Sequence, residues 1–144
     1  MHTAKFLAAP LALGLALTAT TVSVAATASA AAHPSHARFA RAVMLTNADD
    51  GRTVTVARND VIKVRLTHLR DQGQTWVWSA PKAGDPKVLR PHDAGTSPNG
   101  DASAGFQAIS RGTSGITAFR HCVPDPGHVC PRVVIPWRVT VTVK

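Results

Sequence analysis

The chain has no glutamate and no tyrosine, and only two cysteines. Missing glutamate removes one of the common helix formers, while valine and threonine, which suit strands, are abundant. A hydrolase needs a nucleophile, a base and a group to orient that base. The sequence has no Gly-x-Ser-x-Gly and no Gly-rich phosphate loop after a strand, and an exported pair of cysteines leaves no free thiol. The His68 and Asp71 pair, three apart in a loop, reads as solvated. No catalytic residue, cofactor or metal site is therefore assigned, and the chain is expected not to be an enzyme. No run of five basic residues occurs, and no basic stretch is interleaved with aromatics, so nucleic acid is not an expected partner.

What is present begins with an export signal. His2 and Lys5 open a short basic start, Phe6 to Ala26 is apolar, and Ala28-Ser29-Ala30 is a small-x-small cleavage site, with competing cuts after Ala28 or Ala32. No cysteine follows the apolar run directly, which leaves no attachment point for a lipid anchor. Residues 1–30 are thus expected to be a secretion signal, 31–40 a flexible leader and 41–144 one domain, secreted and either extracellular or envelope-associated. The domain is expected to be a monomer.

Strand signals recur through the domain. Ala42–Thr46 is a short apolar strand and Thr53–Val56 alternates. Ile62, Val64 and Leu66 alternate with Lys63, Arg65 and Thr67, the pattern of a sheet with one wet face. Trp76 and Trp78, two apart, share one face of a strand and are expected in the core. Lys87–Arg90 reads as an edge strand between Pro86 and Pro91. Ala102, Ala104, Phe106 and Ala108 alternate, Arg111–Gly115 reads as a tight turn, and Ile116–His121 as a strand. Trp137, Val139, Val141 and Val143 form one face of the last strand, with Pro136 at its start. Seven to eight short strands separated by turns predict an all-β, immunoglobulin-like antiparallel sandwich.

Cys122 and Cys130 are expected to form a disulfide in an exported chain, closing the loop that carries Asp125-Pro126-Gly127. A metal site built from these two with His121 and His128 is disfavoured, because Cys-x7-Cys is not zinc spacing. The net charge of +8 is dispersed and fits weak attraction to an anionic cell envelope.

The order of features from Arg52 to Lys144 resembles the chagasin-like inhibitors of papain-type cysteine proteases. The likeness rests on a strand pair ending at Leu66, a loop closing in Gly73-Gln74-Thr75-Trp76, a Gly-containing loop before Phe106, and a basic, Pro-rich region before the last strand. It implies an immunoglobulin-like sandwich whose three neighbouring loops enter a protease cleft. By position those loops are Thr67–Gln74, Asp93–Asp101 and Cys122–Pro136. The candidate binding residues are Asp71, Gln72 and Gly73 in the first, Pro98, Asn99 and Gly100 in the second, and Asp125, Pro126 and Gly127 in the third. Most of the family's contact motifs are absent: only Gly73 and Trp76 match its first loop, and Ile135-Pro136-Trp137 stands where it has Arg-Pro-Trp. The expected function is a secreted, non-catalytic binding protein, with a papain-like cysteine protease as the implied partner. The alternative is a structural or adhesive envelope module without inhibitory activity.

Overall fold

The structure, a computed structural model, describes Gly14 and residues 39–144. The cleavage sites, the leader up to residue 38 and, Gly14 apart, the export signal fall outside the described residues. Residues 39–144 lie within one compact unit.

Ten strands build two sheets. β1 (Ala42–Leu45), β3 (Val61–Leu66), β7 (Leu89–Thr96) and β8 (Ala102–Ala108) make the first, in the order β1-β3-β8-β7. β2 (Thr53–Val56), β4 (Leu69–Asp71), β5 (Gln74–Trp78), β9 (Gly112–Pro124) and β10 (Val134–Val143) make the second, in the order β2-β10-β9-β5-β4, with the two-residue β6 (Lys82–Ala83) beside β9. The only helical turn among the described residues is a 3-10 turn at Asn47–Asp49. The architecture is the all-β, immunoglobulin-like sandwich.

Period-2 alternation makes the core. Ile62, Val64, Leu66, Ala102, Ala104, Phe106 and Ala108 point inward from the first sheet. Ile116, Ala118, Trp137, Val139, Val141 and Val143 meet them from the second, and all are buried. Ala102, Ala104 and Ala118 are buried in the same core cluster as Trp78 and Trp137. A buried indole N–H needs an acceptor, and both find one in a strand-end carbonyl: Trp78 Nε1 donates to Thr67 O at 2.9 Å and Trp137 Nε1 to Thr46 O at 3.1 Å. The aromatics thereby fix where the chain leaves the core at one end of the sandwich.

Several local expectations change. β1 pairs with β3, and β2 with β10, in parallel, so both sheets are mixed. The region 67–74 is not an open loop: β4 and β5 form a hairpin there. β7 runs on through Pro91 to Thr96 along the edge of its sheet, with a register shift between His92 and Gly95, so the second loop shrinks to 97–101. An edge strand tolerates proline because one side needs no donor. Pro136 lies inside β10, opposite Phe119, and β9 already begins at Gly112, within the expected tight turn. Trp76 is only half-buried, although Trp78 on the same face of β5 is buried.

Candidate functional site

The β4–β5 hairpin turns on Gln72 and Gly73, both with positive φ (46° and 75°). A two-residue turn with φ > 0 at both central positions matches the twist of paired strands, and glycine adopts it without strain. Gly73 also lies under the ring of His128, where a Cβ would stand 2.5 Å from Nδ1. The third loop is therefore seated directly on the hairpin. Asp125 N donates to Gly73 O at 2.8 Å, Gln74 Nε2 donates to Val129 O at 2.8 Å, and Arg70 forms an ion pair with Asp125. Within the loop, His128 N donates to Asp125 O at 3.0 Å and the disulfide joins Cys122 to Cys130, with Cα atoms 5.7 Å apart.

The second loop joins the same structure from the other side. Trp78 N donates to Gly100 O at 2.9 Å, prolonging the edge of β5 beyond β4. Gly100 is buried at φ 95°, and a Cβ there would stand 2.5 Å from Val77 Cγ1. Asp101 accepts from His68 N at 2.8 Å and from His68 Nδ1 at 2.7 Å, while Asn99 Nδ2 adds a third donor at 3.1 Å. The His68 amide above all, and then its imidazole, hold the Asp101 carboxyl below the usual carboxylate range against a smaller opposing effect of desolvation.

The structure thus connects all three loops, but it divides the nine sequence-derived candidates into two groups. Asp71, Gln72, Pro98, Asn99, Pro126 and Gly127 are exposed. Gly73, Gly100 and Asp125 are turned to internal bracing: two permit close approach, and the third carries the ion pair to Arg70. Between hairpin and second loop lies an open groove of about 440 Å³, lined by His68, Arg70, Thr75, Val77, Pro98 and Val123.

Sequence reasoning missed the apolar surface of this end. Val129 is 83% exposed and Val134 62%, with Val123, Val133 and Leu69 between 44% and 49%. Exposed apolar side chains gathered beside loops mark an interaction surface more strongly than polar turn residues do. The available signal was the Val133-Val134-Ile135 run, three apolar residues in a segment assigned to a loop. Under the hairpin, Arg120 lies over both indoles, its Cζ 5.8 Å from the Trp76 ring and 5.6 Å from that of Trp78. Trp76, expected in the core, is instead half-buried in this cation–π stack.

Among the described residues no group of three or more His, Cys, Asp or Glu is placed to hold a metal ion.

No protein-family model matches the chain, and a comparison with curated proteins finds no match. Among solved structures the chain is similar to EhICP2, a cysteine protease inhibitor from Entamoeba histolytica, at 16% identity and TM-score 0.48, covering 74% of this chain and 98% of that one. It is also similar to amebosin, at 12% identity and TM-score 0.42, covering 72% and 98%. A third similar structure is PbICP-C, solved in complex with falcipain-2, at 10% identity and TM-score 0.42, covering 72% and 92%. These neighbours are chagasin-family structures, and the likeness is one of fold.

Proposed function

We propose that this chain is an exported, non-catalytic binding protein that inserts its loop end into the cleft of a papain-type cysteine protease. The observation that carries this reading is the direct linkage of the three loops: Gly73 to Asp125 and His128, Gly100 to Trp78, and Asp101 to His68. Loops locked before contact lose little ordering entropy on binding, which favours insertion into a preformed cleft. Exposed Asp71, Gln72, Pro98, Asn99, Pro126 and Gly127 are the tips in this reading, and Val123, Val129 and Val133 supply the apolar area. The Cys122–Cys130 disulfide supports an oxidising destination, in keeping with the export signal.

The test is residual activity of a papain-type protease against titrated protein. Inhibition is expected below tens of micromolar, on the order of −6 kcal/mol or better. Val129→Asp or deletion of Pro126 and Gly127 is expected to weaken it, while Thr140→Ala on β10 leaves it unchanged. Absence of inhibition by a protein that retains its β-rich circular dichroism would overturn the reading and favour the envelope-module alternative.

A further inference from the structure

A second surface lies on the outward face of the first sheet, along β3, β8 and β7 away from the loop that joins the last two. Strand register places Lys63 beside Gly105 and Gly105 beside His92. Two residues along, Arg65 lies beside Ser103; two residues the other way, Gln107 lies beside Arg90. The central strand β8 therefore shows short side chains, with Lys63 and Arg65 on one flank and Arg90 and His92 on the other. On the Lys63 and Arg65 side lies an open trough of about 200 Å³, lined by Met44, Lys63, Arg65, Asp93, Ser103 and Gly105, with Arg90, His92 and Gln107 outside its lining on the neighbouring register positions.

Among the described residues Lys63 and Arg65, and Arg90 across β8, form no ion pair; the three ion pairs there use Asp49, Asp101 and Asp125. Asp50, Asp60 and Asp85 accept backbone amides elsewhere. Asp93 in the lining opposes the positive charge, and Asp101, bound to His68, shares an adjoining hollow with Arg65 and Ser103.

We propose that this trough binds a linear phosphodiester polymer with short acyclic linkers, lying along β8 between the two cationic flanks. Alternate residues on a strand recur at about 6.7 Å and strands two apart lie about 9.6 Å from one another. Lys63 and Arg65 thus repeat at roughly the interval of successive phosphates joined through a three-carbon polyol, and Arg90 meets the chain from the opposite flank. Arginine's planar fork suits the phosphate oxygens, Ser103 adds a neutral donor in the lining, and Gln107 adds another further along β8, beside Arg90. The trough lining contains no aromatic ring on which a sugar or a base could stack. That favours a slender acyclic chain over a carboxylated polysaccharide or a single-stranded nucleic acid.

The experiment measures binding of poly(glycerol phosphate) to the protein by fluorescence polarisation across salt. With three cations engaged, log K is expected to fall with log salt at a slope of about −2, or roughly 16-fold between about 50 and 200 mM. Lys63→Glu with Arg65→Glu should weaken binding by at least about tenfold, and Ser103→Glu should do so independently. Asp93→Asn should tighten it about two- to threefold, a gain that misfolding cannot imitate. Equal loss from the control reversal Arg58→Glu with Lys82→Glu would show that net charge alone is at work and would overturn the assignment. So would tighter binding of hyaluronate or single-stranded DNA, or no binding of the probe at low salt.

Discussion

Replacing Gly73 by alanine tests whether the third loop rests on the hairpin. Two costs are expected. The backbone at φ 75° is left-handed, which costs an L-residue about 1–2 kcal/mol. The new Cβ would also stand 2.5 Å from Cε1 and Nδ1 of His128 and 2.6 Å from its Cγ, too close for the ring to stay. Because His128 is exposed, the ring can rotate away without deforming the backbone, and losing its seat adds about 0.5–1 kcal/mol. The sum, about 2 kcal/mol, is a substantial part of the 5–15 kcal/mol typical of a domain. For a domain near 100 residues it should lower Tm by roughly 8–16 °C. Tryptophan fluorescence in urea reads the same loss at constant temperature. A double-mutant cycle separates the two costs: in a His128→Ala background only the backbone cost should remain, leaving a coupling of about 0.5–1 kcal/mol. A Gly73→Ala penalty below about 0.5 kcal/mol would refute the conformational argument. An equal penalty in both backgrounds would refute the His128 contact.

Gly100→Ala should cost more, about 2–4 kcal/mol in urea unfolding, because its Cβ would press on Val77 in a buried position, and Val77→Ala should relieve part of that cost. Asp101 and Asp49 are both held below the usual carboxylate range, chiefly by the amides of His68 and Thr46 respectively. A carboxyl depressed in the fold contributes stability that is present above its unfolded pKa, about 4, and lost as pH falls through the lower folded value. Urea midpoints measured from neutral to acid pH should therefore fall most steeply below about pH 4, and less so in Asp101→Asn. Removing the disulfide with Cys122→Ser and Cys130→Ser should lower stability by about 2–3 kcal/mol for a loop of this length. Amide exchange should accelerate at Val129 before it does at Val139; uniform acceleration would show that the bridge holds more than the loop.

Alternation made the core legible in the sequence. Ile62, Val64, Leu66, Phe106 and Val139 lie on alternating faces legible from period 2 alone, and all are buried. Trp76 shares that period, yet is only half-buried with Arg120 over its ring; periodicity specifies a face but not how deeply each position on it is covered. The parallel pairings of β1 with β3 and β2 with β10 were not legible, because pairing partners depend on topology and not on any pattern within a strand. The β4–β5 hairpin was hidden because Leu69-Arg70-Asp71 is too short and polar to read as a strand. It exists because Gln72 and Gly73 close the turn and the third loop covers it. The loop chemistry was legible in the same limited sense. Glycines and aspartates mark where a chain bends, but bending residues often face inward, as Gly73, Gly100 and Asp125 do, while the valines beside them reach solvent.

The distribution of acids links the two proposed surfaces and separates their behaviour. Six of the eight aspartates are engaged in contacts that shape turns or brace loops: Asp49, Asp50, Asp60, Asp85, Asp101 and Asp125. At the loop end this leaves Arg70 and His68 each beside a carboxylate, and the exposed Asp71 and Arg132 are of opposite sign among apolar and neutral side chains. On the outer face of the first sheet it leaves Lys63, Arg65 and Arg90 in no ion pair. Burial of apolar area is little affected by moderate salt, whereas exposed charge is screened over a Debye length that shortens from about 10 Å at 0.1 M to 3 Å at 1 M. Protease inhibition should therefore change by less than about twofold between 50 and 500 mM salt, while polymer binding should fall by roughly two orders of magnitude at a slope of −2. Both are measured on the same preparation, one by residual activity and one by polarisation. If inhibition is lost in parallel with polymer binding, or if Lys63→Glu with Arg65→Glu abolishes both, the two surfaces are one, and the division drawn from the charge distribution fails.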